Sequence, residues 1–234
     1  MSTERIVSEI NAALAEHRDD QQRQPMETYM KNHFPFYGIK TPERKKILAP
    51  FVNDSKTFRE KERFEVAFQL FQMPERECHY AALAVLEKGK KAVSPEAVEF
   101  YRELLLTKPW WDTVDMIASH LCGEYFKLYP QQLRPYTEQF RDSDFMWLRR
   151  AALLFQLKYK GETDQALLFE TILCLKDEKE FFIEKAIGWA LREYSKTDHD
   201  AVIDFLSTHE CRPLSRREGL KWLKNKQPHL LDRL

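Results

Sequence analysis

An all-α fold of stacked helical pairs is what this sequence predicts, and three observations carry the prediction. Segments between turn signals place apolar residues at helical spacing, as in Phe64, Phe68 and Phe71 or Leu153, Leu154 and Leu157. The alternation of two that marks strands is almost absent. Short strings also return at a fixed distance: Ala81-Ala82-Leu83 comes back as Ala151-Ala152-Leu153, 70 residues on, and Arg150-Ala151 as Lys185-Ala186, 35 on. Tyr159 and Tyr194 are 35 apart as well. A two-helix unit of this size cannot cover its own apolar face and must stack on its neighbours. The expected architecture is a short, curved solenoid of HEAT-like αα-hairpins forming one helical-repeat domain over 1–234, and the W-x-x-L-G-x-x-Y signature of TPR units is missing.

The elements follow in order. The amphipathic opening predicts a helix over 3–17, and a second is drawn over 25–33. Thr41-Pro42-Glu43 sets a hydroxyl before a first-turn proline and an acid, which starts a helix over 42–51. The phenylalanine spacing gives 57–71, and Pro74 opens 75–89. Ser94-Pro95-Glu96 repeats the Thr41 pattern and opens 95–106. Pro109 and Pro130 open 109–120 and 130–140. Helical spacing then gives 144–159, 164–175, 180–196, 199–208 and 214–225.

Composition narrows the function. Lys and Arg total 37, as do Asp and Glu, so binding to nucleic acid through bulk positive charge is disfavoured while a local basic face stays open. Only 6 glycines occur, none in a dinucleotide or P-loop arrangement. No apolar run is long enough to span a membrane, and the N-terminus is amphipathic, unlike a signal peptide; a cytoplasmic protein with no membrane partner is expected. Cys78, Cys122, Cys174 and Cys211 are widely spaced without C-x-x-C pairing, which predicts reduced structural thiols and neither a metal site nor a cofactor.

Three segments stand out. In Pro109-Trp110-Trp111-Asp112-Thr113-Val114-Asp115, Trp111 and Asp115 are one turn apart on a face, with Trp110 and Val114 on another that reads as core. Arg150, Leu154 and Lys158 follow i, i+4, i+8 and set two bases on one stripe. Lys185, Trp189 and Arg192 follow i, i+4, i+7, a base, an indole and a base. At the 35-residue period Asp115, Arg150 and Lys185 occupy equivalent points of successive repeats and form a row. Lys40 to Lys46 and Arg212 to Lys226 are locally basic. Bases interleaved with aromatics suit phosphate contacts with packing on sugar or base. The bland alternative is a solvated charged face and tryptophans that only pack.

The strings MKNHF at 30–34, GIKTPER at 38–44, TKPWWDTVD at 107–115, WLRRAALLFQLKYK at 147–160, KEFFIEKAIGWALREY at 179–194 and LSRRE at 214–218 resemble the AlkD-type DNA alkylation repair glycosylases. The resemblance runs over almost the whole chain. It implies a HEAT-like solenoid whose concave face binds duplex DNA, as a monomer, and excises purines alkylated at N3 or N7, such as 3-methyladenine and 7-methylguanine. By motif position it implies Asp115, Trp111 and Trp189 at the lesion deoxyribose with Arg150 supporting them. It further implies Tyr29 beside the lesion strand and Thr41, Lys45, Lys158 and Arg192 at phosphates; Lys185, in the row set by the 35-residue register, is expected to bind DNA as well.

Such chemistry suits a single carboxylate. A purine alkylated at N3 or N7 is cationic and leaves as a neutral base, so the general acid that ordinary glycoside hydrolysis employs is dispensable. Asp115 is then expected to stabilise the positive charge that develops on the sugar and to place the attacking water. The resemblance implies a mechanism directed at the sugar, without turning the nucleotide into a deep pocket. Two rivals are a noncatalytic helical-repeat scaffold for DNA or protein and a relative that recognises bent or branched DNA without excision. Full burial of both indoles away from Asp115 would favour the scaffold.

Overall fold

The computed structural model describes residues 2–234, and the elements among them are helices joined by turns. The contacts divide the chain into two compact units, one ending at Lys108 and one running from Pro109 to Leu234.

The first unit contains α1 (Thr3–Glu16), α2 (Asp20–Tyr29), α3 (Thr41–Asp54), α4 (Glu60–Gln72), α5 (Arg76–Gly89) and α6 (Ala97–Leu106). Its apolar interior gathers Ile10, Leu14, Ile39, Leu70, Phe71 and Leu83, all almost fully removed from water. The loop before α3 is fixed from below by one buried carboxylate. Glu77 accepts the N–H groups of Tyr37, Gly38 and Ile39, each at 3.0 Å. Gly38 has φ of 94°, and a Cβ there would lie 2.1 Å from the Asp19 carbonyl oxygen, so only glycine lets the loop close. Arg76 is buried over the Phe34 ring at 3.8 Å and donates to His79 Nδ1 and to the Lys108 carbonyl, both at 2.9 Å. His79 therefore carries its proton on Nε2, which donates to the Met73 carbonyl at 2.9 Å.

The second unit opens with α7 (Trp111–Met116), which passes through a π-helical stretch at Ile117–Cys122 directly into α8 (Gly123–Leu128). It continues with α9 (Pro130–Arg141), α10 (Met146–Leu154), α11 (Gln165–Leu175), α12 (Phe181–Tyr194), α13 (His199–Thr208), α14 (Pro213–Gly219) and α15 (Lys221–Lys226). Contacts one repeat apart hold the stack together: Tyr159 Oη donates to the Gly123 carbonyl at 2.6 Å, 36 residues away, and Arg134 reaches Glu170 at 2.9 Å across the same separation. Helices α12 and α14 approach closely at Gly188 and Gly219: a Cβ on Gly188 would collide with Glu218 Cβ at 2.5 Å, and one on Gly219 would press on Leu191 Cβ at 3.2 Å.

Several expected elements move. The helix drawn over 25–33 runs from Asp20 to Tyr29 instead, because Asp19 caps the N–H groups of Gln21 and Gln22 and Pro25 is carried inside. Thr41 and Ser94 do not cap. Thr41 is the first helical residue after a Lys40 N-cap, with Oγ1 accepting from Arg44 at 3.3 Å, and α6 begins at Ala97 after Glu96. Side-chain capping falls to Ser2, Asp19, Asp164 and Asp198. The helix expected over 144–159 ends at Leu154, so the Arg150–Leu154–Lys158 stripe is interrupted and Lys158 lies in the following turn. The one drawn over 214–225 divides into α14 and α15. All four cysteines are free; Cys78 and Cys122 are buried, but Cys174 is exposed and packs no core.

Candidate active site

Of the residues that the sequence marks for chemistry, the second unit brings Trp111, Asp115 and Arg150 together. Trp111 opens α7, and Asp115 follows one turn later on its face; both are half-buried. Across the stack, α10 presents Arg150, whose side chain is 5% exposed against 14% for Asp115. The guanidinium grips the carboxylate side-on along one edge, Nε to Oδ1 at 2.7 Å and a terminal nitrogen to Oδ2 at 2.8 Å. Its remaining nitrogen donates to the Phe182 carbonyl at the start of α12. Arg150 is thus held at three points, and the 35-residue separation of Asp115 and Arg150 becomes a direct bidentate pair.

Burial pushes the Asp115 carboxyl above the ordinary aspartate value, with Arg150 pulling the other way and Asp112 adding a smaller upward push. Behind the pair, Trp110 meets Trp147 edge-on at 5.4 Å and Phe182 at 5.1 Å, and Trp147 lies 4.9 Å from Phe182. The Arg150 guanidinium lies over the Phe182 ring of this cluster at 5.7 Å; Trp110 and Val114 belong to packing, as their spacing implies.

On α12, Trp189 is half-buried between Lys185 and Arg192, so the face of base, indole and base exists. Lys185 is not paired with the Asp115 to Arg150 row; its Nζ lies 3.2 Å from Glu218, and Arg192 reaches the other Glu218 oxygen at 3.1 Å. Lys158 is exposed and makes no ion pair among the described residues. Arg212 is turned to Glu184 at 3.0 Å. Sequence reasoning missed Glu218 and the Phe182 carbonyl. Glu218 lies within the LSRRE string, and two bases seven apart around Gly188 were the available signal for a shared acid.

In the first unit, Tyr29 ends α2 and is 71% exposed. Thr41 and Lys45 lie on α3, both exposed, and Lys45 makes no ion pair among the described residues. Arg44 beside them covers the Tyr80 ring at 4.2 Å.

Comparison with known proteins decides the family. The sequence model described as DNA alkylation repair enzyme matches residues 10–223. The chain belongs to the DNA alkylation repair enzyme family. It is similar to a solved structure described as a predicted DNA alkylation repair enzyme from Enterococcus faecalis, at 33% identity and a TM-score of 0.83, over 88% of this chain and 96% of that one. No curated protein matches. The all-helical repeat fold is therefore that of the alkylation repair family, and family membership places the chain in the repair of alkylation damage. No helix among the described residues is long and apolar enough to cross a membrane.

Proposed function

We propose that the protein is a DNA glycosylase that hydrolyses the N-glycosidic bond of purines alkylated at N3 or N7 in duplex DNA. The observation that supports it most is the locked Asp115–Arg150 pair beside Trp111: one buried carboxylate, held in place before any substrate arrives. An alkylated purine carries positive charge and departs as a neutral base, so no proton donor is required. As the bond to the sugar lengthens, positive charge develops on the ring. Asp115 supplies the compensating negative charge and accepts a hydrogen bond from the attacking water. Arg150 favours the ionised carboxylate and removes the need to reorganise it during reaction. Trp111 and Trp189 offer π faces to the forming cation, each contributing about 0.5–2 kcal/mol.

Binding would rest on phosphate contacts from Lys45, Lys158 and Arg192, with Thr41 and Tyr29 placed along the strand. The deciding experiment is release of 7-methylguanine and 3-methyladenine from methylated duplex DNA. Base release by the parent chain and its loss in Asp115→Asn support the reading; binding without release would leave a noncatalytic DNA-binding relative.

A further inference from the structure

Glu218 occupies an unusual position on α14. Its side chain is 8% exposed, and three cations converge on it: Lys185 at 3.2 Å, Arg192 at 3.1 Å and Lys221 at 3.3 Å. The cause is the contact of α12 with α14. Gly188 has no side chain to hold Glu218 away, since a Cβ there would stand 2.5 Å from Cβ of Glu218. The acid is thereby seated between the two bases that flank Trp189. Burial works against its charge, but Lys185 and Lys221 keep the carboxyl below the usual glutamate range.

One carboxylate among three cations leaves two positive charges over. The cations keep open faces, with side chains 37% exposed for Lys185, 27% for Arg192 and 57% for Lys221. A partner of matching chemistry is a phosphodiester backbone, whose oxygens would take the outward N–H donors of these charged heads while Glu218 accepts the inward ones. We infer that Glu218 is a positioning residue that sets the grip of this face on a nucleic-acid backbone: it orders Lys185, Arg192 and Lys221 as one group and cancels one of their charges, and Lys221 is a phosphate contact of that group. The inference rests on the proposed function only in taking duplex DNA as the ligand.

The test is the salt dependence of binding to an undamaged duplex, which requires no base release. Each phosphate-neutralising cation contributes about 0.9 to the slope of log affinity against log salt. Glu218→Gln keeps the shape and removes the charge, so the slope should steepen by about 0.9, equivalent to an affinity about eightfold higher at 0.1 M salt for equal binding at 1 M. Glu218→Asp should keep the parent's slope. Lys221→Gln, at an exposed position that folding tolerates, should flatten it by about 0.9, and the double variant Glu218→Gln/Lys221→Gln should return to the parent. Glu193→Gln, on the helix that carries Lys185 and Arg192 but paired with Lys196, is the control for losing any nearby acid. An unchanged slope in Lys221→Gln, a parental slope in folded Glu218→Gln, or the same steepening in Glu193→Gln overturns the inference. A parent that binds duplex in this salt-dependent way yet releases no alkylated base leaves it standing while the glycosylase reading falls. A parent that releases base while Glu218→Gln keeps the parental slope sinks this inference alone.

Discussion

Gly188 faces Glu218 so closely that a methyl group added to it would stand 2.5 Å from the glutamate Cβ and 2.9 Å from the Ser215 carbonyl oxygen. Backbone on one side leaves little room to yield, so Gly188→Ala should cost about 1–3 kcal/mol through overpacking. Thermal unfolding should show about 2–4 °C of lost midpoint per kcal/mol in a chain of this size. Gly161→Ala, with nothing within 4 Å of the added carbon, is the matched control and should leave the midpoint within a degree or two or raise it slightly. Equal midpoints for the two variants would contradict the close approach of α12 and α14.

Asp115→Asn retains shape and removes charge. Release of 7-methylguanine in single turnover should fall by about 10²–10³, the loss typical of one preorganised electrostatic group, while duplex affinity stays near the parent's. Trp111→Ala and Trp189→Ala should each slow release by a smaller factor, in line with one aromatic contact to a forming cation. Full release by Asp115→Asn would remove this carboxylate from the mechanism.

Arg150 holds structure as well as its proposed place in the chemistry. Arg150→Ala leaves the buried Asp115 carboxylate and the Phe182 carbonyl without their donor, which should cost about 3–5 kcal/mol in denaturant unfolding and abolish most release. Arg150→Lys supplies a point charge instead of a two-pronged fork and should recover only part of either property. If Arg150→Lys matched the parent in both, the bidentate geometry would be irrelevant.

Acid should switch off base release. The proposed reaction requires ionised Asp115, and burial places its carboxyl above the ordinary value, so the rate should fall as pH drops through a midpoint higher than about 3.9. The stability effect runs oppositely. The folded protein holds this proton more tightly than the unfolded chain, so the group favours folding most at low pH, and that contribution fades as pH rises through the folded value. A pH–rate profile of single-turnover release checks the first statement; an acid limb centred at or below an exposed aspartate's value would refute it.

The loop before α3 depends on Glu77. Glu77→Ala strands three inward N–H groups, each worth about 1–3 kcal/mol when left without an acceptor, so unfolding should shift by several kcal/mol. Hydrogen exchange at Tyr37, Gly38 and Ile39 should accelerate before that of the α4 core. Parental protection at those amides would show that another group holds the loop.

Much of this was legible in the residues. Helical periodicity and the 35-residue return exposed the repeat, and the Asp115 to Arg150 register proved to be a direct contact because each repeat carries its helix onto the next. What stayed hidden depends on the backbone path. Lys158 keeps helical spacing from Arg150 in the sequence, yet the chain leaves the helix at Leu154 and the two bases part. Thr41 and Ser94 have the chemistry of caps, but Lys40 and Glu96 occupy the capping positions. Glu218 could not be tied to Lys185 and Arg192 before the crossing at Gly188 was known.

The π-helical stretch from Ile117 to Cys122 acts as a phase shifter in the long helix that begins at Trp111. Ahead of it, Asp115 is aimed at Arg150; behind it, Gly123 meets the Tyr159 hydroxyl and Tyr125 and Phe126 are sealed in the interior. The two halves answer to different neighbours. Removing one residue from the stretch would restore an ordinary α-helix and rotate one half against the other by about 100°. Either the carboxylate would leave its arginine or the aromatic rings would turn to water. The surplus residue reconciles two angular registers that a uniform helix cannot satisfy together.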